Sequence, residues 1–330
     1  MIEPGWMPVD AVVVDGRPGL LWMQMVDVSF FEPFFQQTVD RVRAEHPERL
    51  EQFTEFDALL QLDKALPRAE PAGFIFHSSR CGSTLLANAC RSLNNSIVLS
   101  EANAIDKLIA RFITDAGEPV KETLYSVFLR ATVNALAYSG TERRLFIKFS
   151  CCSVSQLERI RRIWPRVPWV FLYRDPVETI VSNVATPPAW LLDEDHRVLA
   201  HITGTSPAAV AEMSLEELCA RSIGSFFSTA HTLANDNSML LNYNQLSLPV
   251  ISGILNFFNV RPSTGELESI ASGTRIYSKE TSAVREFVPD TDAKQKLASD
   301  LVREMAERWA IQPYDVLERS RNAVNIHGLN

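Results

Sequence analysis

The segment GFIFHSSRCGSTLL, residues 73–86, decides how this 330-residue chain folds. Three apolar residues, 74–76, predict a short buried strand, and the small residues at 78–82 predict a tight turn. From Thr84 onward, leucine and alanine recur at helical spacing, at positions 85, 86, 89 and 93. The segment therefore predicts a strand, a small-residue loop and a helix in succession.

Such a loop is a candidate phosphate site, because its backbone N–H groups and the positive end of the helix dipole point at one spot. Aligned on Gly82, the phosphate-loop pattern G-x-x-x-x-G-K-[ST] places His77 at the first glycine and Ser83 at the lysine. The lysine is therefore missing, and the basic residue of the loop is Arg80. The alternative interpretation is a serine-rich turn that carries a solvated arginine.

A second polar motif, RDPVETIVS at residues 174–182, follows another apolar strand. Asp175 is a favourable helix N-cap and Pro176 suits the first helical position, so the strand ends in Arg174 beside a helix start. The guanidinium of Arg174 and the hydroxyl of Ser182 can together grip one phosphate. Taken singly, an Arg174 paired with an internal carboxylate and a Ser182 on a helix surface are equally good interpretations.

In this order the two motifs resemble those of the sulfotransferases that use 3′-phosphoadenosine 5′-phosphosulfate, PAPS. The pattern x-R-x-G-[ST]-T-L-L resembles their 5′-phosphosulfate loop, and R-D-P-x-x-x-x-V-S resembles their 3′-phosphate motif. The resemblance extends over about residues 73–280. It implies that the donor is bound by Arg174, Ser182 and the loop residues Ser79, Arg80, Cys81, Gly82, Ser83 and Thr84.

A carboxylate, Glu101, follows a third apolar strand at the edge that should face the ligand. Glu101 stands 21 residues after Arg80, which resembles the spacing of the proposed catalytic base in the protein-tyrosine branch of the sulfotransferases. The alternatives are that Glu101 caps the following helix or pairs with a lysine. His77 is the rival base, although a histidine that ends a buried strand is more often a structural residue.

Three further residues complete the predicted site. Lys148 lies near the end of an apolar strand, where its charge would be costly to bury without an anionic partner. Its position resembles that of a lysine that steadies the transition state in the tyrosine-sulfating branch, and a lysine that reaches solvent at the sheet margin is the alternative. Tyr243 resembles a strand-end tyrosine near the nucleotide, and Lys279 lies where a late basic residue usually reaches its phosphates.

Composition limits the class of protein. The net charge of −8 argues against broad binding of nucleic acid or of anionic membranes, which needs a positive field over a sizeable face. No apolar run is long enough to span a bilayer and the N-terminus lacks a signal-peptide pattern, so a cytoplasmic protein is expected. The five cysteines show no metal-ligand spacing and no disulfide framework.

Strand and helix patterns alternate after residue 71, which predicts an α/β fold with a P-loop-type, mostly parallel sheet flanked by helices. Residues 1–70 predict an N-terminal extension, made of a hairpin and a helix whose aromatic face begins at Phe31. We expect this extension to pack on the domain of residues 71–330, and a substrate surface or a homodimer contact is the alternative for the aromatic face. The predicted sheet strands are 74–77, 97–100, 145–149, 169–173 and 239–242.

Residues 186–207 predict a cover over the site. They follow the helix of the 3′-phosphate motif and combine several prolines with Trp190 and an acidic cluster. Long irregular segments beside sites are often lids, so we expect a mobile cover over the acceptor. An ordinary surface excursion is the alternative.

The resemblance thus implies a sulfotransferase that moves the sulfuryl group of PAPS in line to a hydroxyl of a small molecule or peptide. Arg80 and Lys148 would offset developing charge, and Glu101 would take the proton. No metal is expected, because the loop lacks the lysine of the magnesium-dependent pattern. The alternatives are a P-loop kinase, in which Thr84 would hold magnesium, and a non-catalytic nucleotide-binding module.

Overall fold

The structure, a computed structural model, describes residues 5–114, 119–138, 144–274 and 291–325. The predicted ligand Lys279 lies outside these residues. The strands are β1 (Trp6–Val14), β2 (Arg17–Gln24), β3 (Glu51–Glu55), β4 (Gly73–His77), β5 (Ser96–Ser100), β6 (Arg144–Lys148), β7 (Trp169–Tyr173) and β8 (Ser238–Asn242). The helices are α1 (Phe35–Glu45), α2 (Phe56–Asp63), α3 (Ser83–Arg91), α4 (Asn103–Thr114), α5 (Pro119–Ala137), α6 (Leu157–Ile163), α7 (Pro176–Ala185), α8 (Arg197–Thr203), α9 (Pro207–Ala211), α10 (Leu215–Leu233), α11 (Leu248–Phe257), α12 (Thr264–Thr274), α13 (Thr291–Leu297), α14 (Asp300–Ala306) and α15 (Gln312–Asn325).

Strands β4 to β8 form one parallel sheet in the order β5-β6-β4-β7-β8. The central strand β4 is buried along its whole length. Its side chains divide between two cores, since Phe74 and Phe76 belong to one buried cluster and Ile75 belongs to the other. A sheet covered by helices on both faces requires such continuous apolar strands. The predicted α/β class is confirmed, and each predicted strand lies within one residue of the observed bounds.

The carboxyl ends of the five parallel strands share one edge of the sheet. In register, Ser100 pairs with Lys148, and Tyr173 pairs with Asn242. Ligands of open parallel sheets bind beyond this edge, because the loops that leave it converge there. The next residues along three of these strands are the predicted site residues Glu101, Arg174 and Tyr243.

The N-terminal residues form a separate antiparallel sheet, β1-β2-β3. The predicted β1–β2 hairpin turns at Asp15 and Gly16, both of which have positive φ, as a two-residue hairpin requires. The following helix begins later than predicted: Phe31 lies outside α1 and is 59% exposed. Pro33 explains the late start, because the residue before a proline is displaced from helical geometry.

The extension shares a core with the parallel sheet. The apolar face of α1 is buried, and Phe35, Val39 and Val42 lie in the same hydrophobic cluster as Phe74 and Phe76. An amphipathic helix is stabilised mainly by burying such a face. The burial agrees with the core-packing interpretation of the aromatic helix.

The segment predicted as an irregular cover is more ordered than expected. It contains a 3₁₀ turn at Ala189–Leu191 and the helix α8. Leu191, Leu199 and Ile202 are buried and anchor this segment in the core. The prediction of a long irregular segment is therefore wrong, because the apolar residues between the prolines and acidic residues bury a face of their own.

The loop after β4 depends on Gly82, which precedes α3 with a left-handed φ of +79°. A Cβ atom at this position would lie 2.8 Å from Leu246 Cδ2 and 3.2 Å from the Tyr243 ring. Gly82 therefore satisfies two constraints at once, the backbone conformation and the close approach of the loop that carries Tyr243. Among the described helices, none is long and apolar enough to cross a membrane.

The Gly82→Ala substitution should lower the free energy of unfolding by more than Gly16→Ala does. Both glycines have positive φ, which costs an alanine about 1 kcal/mol, but a Cβ on Gly16 meets nothing within 4 Å. The difference between the two variants in urea denaturation therefore measures the crowding by Leu246 and Tyr243. Equal losses would show that this contact relaxes without cost.

Candidate functional site

A cavity of about 350 Å³ opens at the carboxyl edge of the parallel sheet, and we call it the site cavity. It brings together every predicted site residue in the described part of the chain: His77, Ser79, Arg80, Cys81, Gly82, Ser83, Thr84, Glu101, Lys148, Arg174, Ser182 and Tyr243. Pro188 and Trp190, from the segment 186–207 that was predicted to cover the site, also line it, together with five residues that the sequence analysis did not select: Phe34, Leu85, Ser150, Cys151 and Lys294. The sheet topology thus joins segments that are far apart in sequence.

The loop between β4 and α3 is held in an unusual backbone conformation. Ser79 and Arg80 both have positive φ, 76° and 50°. The Ser79 N–H donates to His77 Nδ1 at 3.1 Å, and the Ser79 hydroxyl donates to Asn183 Oδ1 at 3.0 Å. The surrounding structure therefore holds a conformation that non-glycine residues rarely adopt, as is common in ligand-binding loops.

Asn183 in α7 is the support for this loop that sequence analysis missed. It is fully buried, and its Oδ1 accepts from Arg80 Nε at 3.3 Å as well as from Ser79. Arg80 also donates from Nη2 to the carbonyl oxygen of Thr186 at 2.6 Å. The guanidinium is thus attached to the C-terminal end of α7, and Arg80 lines the site cavity.

The end of the loop presents a helix N-terminus to the site cavity. Ser83 and Thr84 are buried in the first turn of α3, where backbone N–H groups have no partner within the helix. Cys81 is buried and its thiol donates to the carbonyl oxygen of Leu172 at 3.1 Å. These positions fit a phosphate or sulfate group held by backbone N–H groups, whereas the Cys81 side chain fixes the loop to β7.

Lys148 and Glu101 form an ion pair in the site cavity. The Lys148 ammonium donates to Glu101 Oε1, and His77 Nε2 lies 3.4 Å from the same oxygen. Burial of the Glu101 carboxyl opposes its ionisation, but the charge of Lys148 and the contact with His77 outweigh burial and hold the pKa of Glu101 well below its usual range. Glu101 is therefore an ionised carboxylate that lines the site cavity, and the alternative interpretation, in which it pairs with a lysine, is observed.

Arg174 is also paired. It is buried, and its Nε and Nη2 donate to Glu178 Oε2 at 2.6 Å and 2.5 Å. Its guanidinium carbon lies 4.4 Å from the centre of the Tyr243 ring. Asp175 accepts from the Glu178 N–H at 3.1 Å and caps α7, as predicted. The alternative of an internal carboxylate partner is thus observed, at a residue that still lines the site cavity.

A further basic residue, Lys294 in α13, lines the site cavity together with Arg174 and Ser182. The neighbouring Gln295 donates to Asp175 Oδ1 at 3.1 Å, which ties α13 to the start of α7. The sequence analysis placed the late basic residue at Lys279, which lies outside the described residues. No local pattern distinguishes Lys294 from other surface lysines, so only the tertiary structure selects it.

No family model and no curated protein matches this chain. Solved structures do match. A sulfotransferase domain from the curacin biosynthetic pathway is 16% identical and covers 73% of this chain and 98% of its own length, with a TM-score of 0.41. A sulfotransferase from Alicyclobacillus acidocaldarius is 14% identical and covers 77% and 96%, with a TM-score of 0.41. A mouse sulfotransferase in complex with PAP is 14% identical and covers 84% and 92%, with a TM-score of 0.40. These three structures are all sulfotransferases.

Asp106 in α4 is a second carboxyl group near the ion pair. It accepts from the Ser150 N–H and the Ser153 hydroxyl, both at 3.5 Å. Burial, together with the charge of Glu101, raises the pKa of Asp106 to about 7, against a smaller opposing effect of Lys148 and Ser150. Asp106 therefore changes charge near neutral pH, whereas Glu101 stays ionised.

The raised pKa of Asp106 should make the folded state less stable as pH rises. A carboxyl whose pKa is higher in the folded state contributes stability below its unfolded pKa, near 4, and that stability is lost as pH rises through about 7. Asp106→Asn removes this loss. When the pH is raised from 5 to 8, the melting temperature should therefore fall more for the wild type than for the variant, by a difference of at least about 2 °C. Differential scanning calorimetry measures both, with the exposed Asp236→Asn as control. Parallel curves for Asp106→Asn and wild type would contradict the assignment.

Proposed function

We propose that this protein is a sulfotransferase that moves the sulfuryl group of PAPS to an acceptor hydroxyl. One observation carries the proposal: two anion-binding elements that are distant in sequence, the loop 79–84 and the pair Arg174/Ser182, line the same cavity as an ionised carboxylate and a buried lysine. A donor with two separate anionic groups would bind one group at each element. PAPS is such a donor, because it carries a 5′-phosphosulfate and a 3′-phosphate.

The two ends of the donor would meet different kinds of partner. The N–H groups at the start of α3, with the helix dipole, suit the 5′-phosphosulfate. Arg174, Ser182 and Lys294 suit the 3′-phosphate, with Tyr243 beside the guanidinium. Glu178 holds Arg174 in one orientation, and a guanidinium has five N–H donors, so this ion pair prepares the arginine for a second anion.

In the proposed reaction the acceptor oxygen attacks sulfur. The new oxygen–sulfur bond forms as the bond from sulfur to the 5′-phosphate oxygen breaks, which releases 3′-phosphoadenosine 5′-phosphate (PAP) and the sulfated acceptor. The acceptor proton passes to Glu101. Such transfers have a loose in-line transition state, so positioning and charge stabilisation by Lys148 and Arg80 supply most of the catalysis.

The ion pair couples donor binding to base strength. Glu101 is a weak base while Lys148 donates to it, because the adjacent positive charge lowers its pKa. An anionic sulfuryl group near Lys148 would draw the ammonium away from the carboxylate. The basicity of Glu101 would then rise at the stage of the cycle at which the donor is in place.

His77 fits the role of a positioning residue. Its Nδ1 accepts the Ser79 N–H, so in the neutral ring the proton is on Nε2, which faces Glu101 Oε1 at 3.4 Å. A nitrogen that already carries a proton cannot take one from the acceptor. The arrangement therefore favours Glu101 as the base, as in the protein-tyrosine branch that the spacing of Glu101 from Arg80 resembles.

The donor assignment is tested by calorimetry with PAP and with adenosine diphosphate, which lacks the 3′-phosphate. We expect PAP to bind more tightly, and Arg174→Ala to weaken PAP by about thirtyfold, about 2 kcal/mol, with little effect on adenosine diphosphate. The exposed Arg166→Ala is the control. Because Arg174→Ala leaves the Glu178 carboxylate buried and unpaired, the double variant Arg174→Ala/Glu178→Gln is measured beside it. Equal affinity of the wild type for both nucleotides would remove the basis for a 3′-phosphate site.

The roles of Glu101 and His77 are separated by single-turnover transfer from labelled PAPS to 2-naphthol at saturating donor. Glu101→Gln should lower the rate by at least about 10² and leave PAP affinity within about twofold, as expected for the loss of a general base. His77→Asn should lower the rate much less, because it changes contacts that support the loop and the carboxylate but leaves the base itself in place. A near-normal rate for Glu101→Gln with a collapse for His77→Asn would make His77 the base.

A further inference from the structure

One wall of the site cavity comes from Phe34, a residue of the predicted N-terminal extension. The Lys148 ammonium lies 4.9 Å from the centre of the Phe34 ring, and both residues line the cavity. An ammonium over an aromatic face is attracted by the electron density of the ring. The ring therefore covers one side of the Lys148–Glu101 ion pair, where the acceptor hydroxyl has to arrive.

The segment that carries Phe34 is held by side-chain contacts on both sides of the ring. Glu32 is buried and accepts from the Thr38 hydroxyl at 2.7 Å, and it forms an ion pair with Arg41. Arg41 also donates to the carbonyl oxygen of Ser29 at 2.8 Å, and Phe35 is buried in the core. The backbone on both sides of Phe34 is thus tied to α1 and to the core.

Phe34 occupies a position that helix formation alone would assign to another residue type. It is the N-cap of α1, where serine, threonine, asparagine and aspartate stabilise a helix by about 1 kcal/mol relative to apolar residues. Its side chain makes no capping hydrogen bond, although Gln37 Oε1 accepts the Phe34 N–H at 3.2 Å. The ring is only partly buried and lines the cavity. Phe34 therefore forms part of the cavity wall at a position where a polar residue would have stabilised the helix.

The Pro188–Trp190 segment supplies further apolar wall. Pro188 and Trp190 line the same cavity, and the Trp190 ring packs edge-on against the buried Phe226, with centroids 6.3 Å apart. This segment follows Thr186, whose carbonyl oxygen binds Arg80. One apolar wall, Phe34, thus adjoins the Lys148–Glu101 ion pair. The other, Pro188 and Trp190, follows the residue that binds Arg80 of the predicted donor loop.

We propose that Phe34 is a specificity-determining residue that favours acceptors whose hydroxyl is carried on an apolar, ring-sized group over polyhydroxylated acceptors. Apolar walls bind such a body by removing its surface from water, whereas a sugar would lose hydrogen bonds to water there. The claim that this ligand is a sulfuryl acceptor rests on the function proposed above. The claim that an apolar ligand contacts Phe34 is independent of that function.

The experiment measures binding of 2-naphthol and of methyl β-glucoside to the full chain by ligand-observed NMR, with and without PAP. We expect the wild type to bind 2-naphthol more tightly than the glucoside. Phe34→Ser should weaken 2-naphthol at least fivefold, and Phe34→Leu should weaken it less because leucine keeps apolar volume. The matched control is Phe31→Ser, three residues earlier in the same segment and exposed. The affinity for PAP should stay within about twofold in all variants.

Measurements of the melting temperature and of PAP binding distinguish a loss of the apolar wall from misfolding and from a failure of the sulfotransferase proposal. Serine supplies the missing N-cap, so the melting temperature of Phe34→Ser should stay within about 2 °C of the wild type, and a larger fall makes Phe34→Leu the deciding variant. Unchanged 2-naphthol affinity in the deciding variant, a preference of the wild type for the glucoside, or no binding of 2-naphthol would each overturn the inference. A wild type that binds no PAP but loses 2-naphthol through Phe34→Ser would refute the sulfotransferase proposal and support the apolar wall.

Discussion

Lys148 places a positive charge at the end of a strand where only 1% of the residue is exposed. An ammonium removed from water costs several kcal/mol unless a well-placed anion compensates it. Glu101 meets that requirement through two links, because its N–H donates to the Lys148 carbonyl oxygen at 2.8 Å and its carboxylate accepts from the ammonium. The parallel pairing of β5 with β6 sets the first link and thereby the second. The electrostatics of the site therefore follow from the register of the sheet.

The same requirement explains why Glu101 adopts a left-handed φ of 51°. The chain must leave β5 and begin α4 within two residues while the carboxylate stays on Lys148. A non-glycine residue in this conformation costs of order 1 kcal/mol, which the surrounding contacts must offset. Backbone strain thus lies at a residue that lines the site cavity, as it does at Ser79 and Arg80 in the neighbouring loop.

Much of this could be predicted from the sequence because the deciding signals are local. Strand and helix periodicity gave the parallel sheet, and the rule that ligands bind beyond the carboxyl ends of parallel strands selected Glu101 and Arg174. The pairing of Arg174 with an internal carboxylate was among the alternatives, but its partner Glu178 was not identified, because Arg174 precedes α7 and only the fold brings the two side chains together. Phe34, Asn183 and Lys294 were not accessible, because each is brought to the cavity by tertiary packing and has no distinctive local pattern. The late start of α1 was missed because the apolar spacing from Phe31 was given more weight than Pro33. The helix within residues 186–207 was missed because the prolines and acidic residues were given more weight than the apolar residues between them.

Helix α7 contacts two separate parts of the cavity lining, Arg174 and the loop after β4. Its first turn holds Arg174 through Glu178, and its last turns hold Ser79 and Arg80 through Asn183 and Thr186. Ten residues of helix span ~15 Å, and a helix resists both stretching and compression. The length of the helix therefore sets the distance between Arg174 at one end and the loop residues Ser79 and Arg80 at the other. Inserting or deleting one residue in α7 would rotate the two ends by about 100° relative to each other. The distance between these two parts of the cavity lining can thus change only in discrete steps.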